Sequence, residues 1–305
     1  MARRRRGLPI DGVLLLDKPQ GLSSNQALQR ARRLYQAQKA GHTGTLDPMA
    51  TGLLPVCFGE ATKFSSQLLD ADKVYRARLR LGVTTTTGDA EGEVLQERPV
   101  PALDEASIEA VLARFRGEIE QLPPMYSALK HQGRPLYELA REGKTIERAV
   151  RRVTVYDVRL LALEGEEFTL EASVSKGTYI RTLAEDIGEA LGCGAHLTAL
   201  RRLKTGPFTA EGMLTLEALE GFEDAERQAH LLPMDVLVAH LPSLTVAADA
   251  AKRLTHGQPA RLEVGALAVE STVRLYHDGA FLGLGVVAGP QEVAPKRLLS
   301  SAAAS

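Results

Sequence analysis

GHTGTLDPMATGLLP, residues 41–55, gathers Gly, Thr, Asp and Pro around a single carboxylate, Asp47. It lies between one helix-like segment and another that begins near Glu60. Gly41, Gly44 and Gly52 permit close approach of a ligand. Thr43, Thr45 and Thr51 can satisfy loop amides and hold the acid's orientation. An Asp-Pro pair alone reads as an ordinary Asx-turn or helix cap, and it is the wider string that points to a site. No second acid lies nearby, so the paired carboxylates of glycosidases do not fit. Neither a Ser-His-Asp order nor a phosphate-binding loop is visible. A lone, rigidly placed carboxylate suits a nucleophile, which needs position more than a proton relay.

Outward from this loop the chain alternates strands and helices. GVLLLDKP reads as a short buried strand stopped by Pro19. LSSNQALQRARRLYQ has Ser and Asn as capping groups, then Ala27, Ala31 and Leu34 at helical spacing. EATKFSSQLL predicts a short helix. KVYRARLRLG places Tyr75, Ala77, Leu79 and Leu81 on one face and Arg76, Arg78 and Arg80 on the other, a strand with a buried face and a wet, basic one. LDEASIEAVLARFRGEIE predicts an amphipathic helix capped by Asp104. RRVTVYDVRLLALEGEEFTLEASVS predicts two strands joined at Glu164-Gly165-Glu166. TYIRTLAEDIGEALGCG predicts a helix with Ile180, Leu183, Ile187 and Leu191 inward and a glycine stop. HLTALRRLKTGPFT reads as a strand. Beyond residue 242 the texture becomes short strands, with a hairpin signal at His277-Asp278-Gly279, which predicts a small all-β module.

One segment breaks the pattern. QLPPMYSALKHQGRPLYELAREGKTIERAVRR is polar, basic and punctuated by Gly and Pro. Long irregular stretches of this kind are usually functional or mobile. Met125, Tyr126, Leu129, Leu136, Tyr137 and Leu139 are too sparse to form a core, so a mobile insertion is expected at about residues 123–152.

The 305 residues are 44% hydrophobic and 25% charged, ordinary for a soluble protein with one large domain and a small one. The net charge of -1 hides local imbalance. Residues 125–159 carry eight Lys or Arg against four acids, a patch that can attract polyanions or simply be a solvated surface. Cys57 and Cys193 have no paired or zinc-like spacing and fit a reducing compartment. No apolar run approaches a membrane span. GVLLL after the basic start is too short for a signal segment, so a cytoplasmic protein is expected.

The segments LLLDKPQGLSS, KAGHTGTLDPMATGLLPVCFGEATK, VYRARLRLG, TTTTGDAEGEV, PPMYSALKHQGRPLYELAREG and SKGTYIRTLAEDIGEALGCGAHLTALRRLKTGPF resemble, in order, the bacterial tRNA pseudouridine synthase B (TruB) family. The resemblance runs over essentially residues 10–300. It implies an α+β fold, with a mixed, largely antiparallel sheet and a small C-terminal PUA-like β-barrel. The expected domains are a catalytic one at 1–242 and an RNA-binding one at 243–305. It implies isomerisation of uridine 55 in the T loop of tRNA, with the base flipped from its stack, and without metal or organic cofactor. Three routes stay open: attack of the aspartate on C1′, a glycal formed by loss of the C2′ proton, and attack on C6 of the uracil.

On the matching positions, Asp47 is the essential aspartate, and Arg181 pairs with it and lowers its pKa. Tyr75 stacks on the flipped uracil and can act as a base. His42 enters the T loop, Tyr179 and Leu200 line the uracil pocket, and Lys18-Pro19 are structural. Each also has a plain reading as core or surface. Lys130, Arg141 and Lys144 of the insertion are expected on tRNA phosphates, the insertion closing over the T arm. The expected partner is tRNA alone, with no membrane or protein partner, for a monomer. Two alternatives remain, a tRNA-binding folding factor with catalysis secondary and a guide-RNA-dependent relative of the enzyme.

Overall fold

Strands Gly12–Lys18, Thr51–Phe58, Ala195–Thr205, Lys73–Leu81, Glu167–Val174, Arg151–Glu164 and Gly117–Gln121 lie side by side in that order in one sheet. This is a computed structural model, and it describes residues 7–300. Neighbours along the sheet run antiparallel except where Ala195–Thr205 meets Thr51–Phe58. There Arg201 pairs with Thr51 and Arg202 with Gly52, in parallel. The mixed, largely antiparallel sheet is the expected one.

The apolar runs explain how the sheet is buried. Leu14, Leu16, Leu54, Val56 and Phe58 point into a core shared with helices Ser24–Leu34, Glu105–Leu112 and Ile180–Ala190. Their neighbours Val13, Leu53 and Cys57 point the other way, into a second cluster with Phe64, Phe281, Leu284 and Leu299. Both faces of this end of the sheet are covered, so its strands read as continuous apolar stretches. Farther along, Lys73–Leu81 alternates as expected, with Ala77, Leu79 and Leu81 buried and Arg76 and Arg80 exposed.

Several local expectations are corrected. The wet face of Lys73–Leu81 is not simply basic, because acids of the next strand face its arginines. Arg76 lies 3.2 Å from Glu171 and Arg78 lies 2.5 Å from Glu167. EATKFSSQLL forms two 3₁₀ turns, Gly59–Lys63 and Ser65–Leu68. The helix capped by Asp104 ends at Leu112, and GEIEQ becomes the edge strand Gly117–Gln121 paired with residues 151–155. Gly117, at φ +103°, makes the break that a residue with a Cβ would resist.

From Ser243 onward a separate five-stranded sheet forms, in the order Ser243–Thr245, Thr272–His277, Ala280–Gly289, Glu292–Leu298, Ala260–Arg261. Its hairpin turns at Asp278 and Gly279, both at positive φ (47° and 78°), as a tight primed turn requires. The module is not all-β, since Ala248–Thr255 is a helix whose Ala251 and Leu254 are buried in its core.

The insertion is folded. It contains a short hairpin, Lys130–His131 with Arg134–Pro135, followed by helix Leu136–Arg141. Leu136 and Leu139 are buried. Spacing in the sequence hides this, because three residues apart on one helix turn are neighbours in space.

Candidate active site

The Asp47 loop leaves the short strand Ala40–His42 and returns through Thr51–Phe58. Gly52, at φ +98°, sits so close to the opposite strand that a Cβ there would lie 2.3 Å from the Arg202 carbonyl oxygen. The loop therefore enters the sheet only through glycine at this position.

A cavity of about 240 Å³ opens beside the loop, lined by Asp47, Tyr75, Tyr179, Arg181, Leu200 and Arg202 among others. That is slightly below the range of about 300–1,000 Å³ usual for ligand pockets, and suits one small ring system rather than a large ligand. Asp47 is the one carboxylate among the lining residues. Five sequence-predicted residues, Asp47, Tyr75, Arg181, Tyr179 and Leu200, thus come together from distant parts of the chain.

Arg181 comes from the first turn of helix Ile180–Ala190 and is buried. Its Nε lies 3.0 Å from Asp47 Oδ2 and 3.6 Å from Asp89 Oδ2. Nη1 donates to the Thr87 carbonyl (2.9 Å), and Nη2 donates to the Tyr126 carbonyl (2.6 Å). Every nitrogen of the guanidinium is engaged, so its orientation is fixed. Asp89 is buried behind it, where Oδ1 accepts from Thr87 Oγ1 (2.6 Å) and the Glu91 amide (3.1 Å). Sequence reasoning passes over Asp89, although TTTTGDAEGEV marks its segment; its burial against Arg181 is a tertiary fact.

The Asp47 carboxyl is held above the usual carboxylate range. Burial is the largest cause, and Asp89 adds to it. Arg181 pulls the other way through charge and hydrogen bonding. Arg181 lowers this pKa as expected, but desolvation outweighs the ion pair, so the net shift is upward.

Tyr179 is the N-cap residue of the Arg181 helix, and one side chain holds its backbone at both ends. Its amide donates to Gln121 Oε1 (3.0 Å), and Gln121 Nε2 donates to its carbonyl (3.2 Å). Tyr75 lies in register with Arg202 on one side and Ala172 on the other. Leu200 is nearly buried, and its carbonyl accepts from Thr51 Oγ1 at 3.4 Å.

His42 stands outside the cavity lining, at the mouth of the loop, where Nδ1 accepts from the Gly44 amide at 3.4 Å. Burial, and then the charge of Arg202, hold its pKa below the usual histidine value, which favours the neutral ring. Lys130, Arg141 and Lys144 also lie outside the cavity, on the exposed surface of the insertion. Lys144 pairs with Glu142 at 2.8 Å, and Arg141 sits over the Tyr137 ring at 5.6 Å. The root of the insertion reaches the cavity through Ser127 and Ala128. Among the described residues, no group of three or more His, Cys, Asp or Glu is placed to hold a metal. No helix among them is long and apolar enough to cross a membrane.

A carboxylate, a fixed guanidinium and a tyrosine ring around a small cavity can receive a planar base and act on the atom bonded to it. Three family models match the chain in succession. They are the TruB family pseudouridylate synthase N-terminal domain over residues 32–180, the tRNA pseudouridylate synthase B C-terminal domain over 181–239, and the pseudouridine synthase II TruB C-terminal region over 242–299. A tRNA pseudouridine synthase B of Chromohalobacter salexigens is 70% identical over 302 residues, 99% of this chain and 98% of its own. One from Burkholderia mallei is 56% identical over 310 residues, 99% of this chain and all of its own. Among solved structures, a Cbf5-Nop10-Gar1 complex contains a similar chain, with TM-score 0.70, 30% identity, and coverage of 92% of this chain and 79% of that one. A chain of an H/ACA RNP bound to a substrate RNA containing 2'-deoxyuridine is also similar, with TM-score 0.71, 26% identity, and coverage of 98% and 91%.

Proposed function

The chain belongs to the TruB family of pseudouridine synthases, and from that premise we propose that it converts uridine 55 in the T loop of tRNA to pseudouridine. The observation that carries this reading is the Asp47 carboxylate, the one acid lining the cavity, oriented by Arg181 at 3.0 Å. The relatives' names bring tRNA as the substrate.

The N1–C1′ bond of the uridine breaks, the uracil turns, and a C5–C1′ bond forms. The proton on C5 leaves and N1 gains one, so the reaction is an isomerisation that consumes nothing. Asp47 faces the ribose of the flipped nucleotide. Attack on C1′ and removal of the C2′ proton both use the ionised acid, which Arg181 supports. The Tyr75 ring stacks on the uracil, and its phenolic oxygen relays the C5 proton, taking it up as its own hydroxyl proton passes to water, from which N1 is protonated. Tyr179 and Leu200 close the sides of the uracil site. His42, at the mouth of the loop, fills the place the base vacates. The exposed Lys130, Arg141 and Lys144 meet phosphates of the T arm. Residues 1–242 carry catalysis and 243–305 add RNA affinity, in a cytoplasmic monomer.

Purified protein alone, with a T-arm stem-loop, tests this. Pseudouridine at the position equivalent to 55 is the expected product. No product without an added guide RNA would favour the guided alternative, and tight binding without product would favour a folding factor.

A further inference from the structure

The Asp47 loop has no ladder of its own, yet each of its carbonyls from Gly44 to Pro48 meets a donor. The Asp47 carbonyl accepts from the Ala50 amide (3.1 Å) inside the loop. The others depend on groups outside it. Arg202 Nη2 donates to the Gly44 carbonyl (3.2 Å), and Nη1 makes a longer contact with that of Thr45 (3.5 Å). Ser24 Oγ accepts from the Leu46 amide (2.7 Å) and donates to the Leu46 carbonyl (3.0 Å). The Pro48 carbonyl takes the Gly21 amide (2.8 Å) and Lys18 Nζ (3.3 Å).

Ser24 and Arg202 stand out in this set. Ser24 is 2% exposed, and its one hydroxyl serves both backbone groups of Leu46, the residue before Asp47. Arg202 is 1% exposed and, among the described residues, has no carboxylate in ion-pair range. A buried cation is normally paired with an acid; this one spends its donors on loop carbonyls. Its Nε also holds the Leu53 carbonyl (2.8 Å), and its backbone pairs with Gly52 where the loop re-enters the sheet. Arg202 therefore grips the loop on both sides of Asp47, and Ser24 grips it at the adjoining residue.

We propose that Ser24 and Arg202 are positioning residues that set the place of the Asp47 carboxylate from its backbone side, and thereby govern the chemical step rather than RNA binding. The inference rests on the function proposed above. Neither side chain needs to touch the RNA. Displacing a reacting group by about 1 Å can cost on the order of 100-fold in rate, and removal of either grip frees one side of the loop.

The test compares wild type, Ser24→Ala and Arg202→Lys on a T-arm stem-loop. Ser24→Ala removes one oxygen, and Arg202→Lys keeps the charge but loses the fork. Melting temperatures verify that each is folded at the assay temperature, and Ser24→Ala decides the matter should Arg202→Lys not fold. The single-turnover rate of each should fall on the order of 10- to 100-fold, with Kd for the stem-loop unchanged. The double variant should lose less than the product of the two, since both act through one loop. The acidic limb of the pH–rate profile should move to higher pH, because a displaced carboxylate is less well paired with Arg181; a merely structural role would not move it. Folded variants that react at the wild-type rate, or that lose affinity and rate in equal measure, would overturn the cradle alone. A wild-type chain that forms no pseudouridine would overturn the proposed function, and the cradle with it.

Discussion

Arg181 places its Nε 3.0 Å from the Asp47 carboxylate while a second acid, Asp89, stands 3.6 Å away on the buried side. The guanidinium is shared between an acid that faces the cavity and one that does not. Asp89 and two carbonyls hold the arginine; the arginine in turn aims Asp47. Position and ionisation of Asp47 are thus tied to the same group.

Asp47→Asn keeps the shape of the side chain and removes the ionised oxygen. RNA binding should be retained. Turnover should fall on the order of 10⁴-fold or more, the scale seen when a nucleophile is removed from a site that still binds. A single-turnover assay with saturating enzyme checks this, and a rate near wild type would remove Asp47 from the chemistry.

The pH dependence follows from burial. Asp47 must be ionised to act, and its carboxyl is held above the ordinary range, chiefly by desolvation. Activity should therefore be lost as pH falls through this raised value, earlier than an exposed aspartate would give. Arg181→Met removes the group that opposes desolvation, so its acidic limb should lie at still higher pH. An unchanged limb in a variant that retains measurable activity would mean that Arg181 does not tune Asp47.

Tyr75→Phe retains the ring, and Tyr75→Leu loses it. The Phe variant should bind the stem-loop as the wild type does and turn over more slowly, by about 10²–10⁴-fold if the hydroxyl relays the proton. The Leu variant should lose affinity as well. Equal single-turnover rates for Phe and Tyr would leave Tyr75 with a packing role only.

How far the sequence carries depends on the distance between the residues involved. Asp47 is legible because its loop is contiguous and its residue types are those of a constrained turn. Strand Lys73–Leu81 is legible because alternation is local. The meeting of Asp47, Asp89 and Arg181 joins three distant positions, and no local pattern announces it. Gly117–Gln121 reads as the end of a helix, yet the tertiary pairing with residues 151–155 decides that segment. The grip of Arg202 is likewise hidden, because the dipeptide Arg201-Arg202 looks like surface charge. One of the two is 1% exposed, while the other lies 2.7 Å from Asp17.

Glu185 gives a stability prediction. Its pKa is raised from 4.5 to about 7, burial being the largest cause, followed by Asp186. A carboxyl with a raised folded pKa favours the fold while protonated. That contribution is complete below 4.5 and is lost as pH rises through about 7. Glu185→Gln should match wild type in acid and exceed it in stability above about pH 8, by up to about 2 kcal/mol after allowance for partial exposure. Denaturant melts at the two pH values check the sign, and a parallel pH dependence in the variant would contradict it.

The C-terminal sheet shares a core with the catalytic sheet, and this shapes its test. Phe64 and Phe281 have ring centroids 5.4 Å apart, and Leu284 and Leu299 lie in the same cluster. Ending the chain at residue 242 should uncover this surface and cost on the order of 3 kcal/mol or more, which confuses stability with affinity. Replacing the exposed Lys252, Arg253, Lys296 and Arg297 by Gln leaves the core intact. This variant should bind the stem-loop more weakly, with a salt slope shallower by roughly 0.7–0.9 for each phosphate that a cation no longer neutralises, and should reach the wild-type rate at saturation. Unchanged affinity and slope would exclude these cations from the RNA surface.

The insertion is where a folded structure and a moving role have to be reconciled. Leu136 and Leu139 are buried, and the Tyr126 carbonyl takes a hydrogen bond from Arg181. The base of the segment is thus tied to the active site even without RNA. Its outer surface is less cationic than the sequence suggests. Glu142 takes both Arg134 and Lys144, at 2.5 and 2.8 Å, and exposed pairs of this kind are worth about 1 kcal/mol or less. A phosphate can therefore compete for Lys144, but Lys130 and Arg141, with no acid in ion-pair range among the described residues, should carry more of the effect. Replacing Lys130 and Arg141 by Gln should weaken binding most at low salt and shallow the slope by roughly 0.7–0.9 for each phosphate left without its cation. Lys144→Gln alone should do less. In hydrogen exchange, helix Leu136–Arg141 should be protected in the free protein and the exposed hairpin turn at Gln132 and Gly133 should not, with protection spreading to the turn when RNA binds. Equal protection with and without RNA, together with an unchanged salt slope, would make the segment a fixed wall of the cavity and move the grip on tRNA elsewhere.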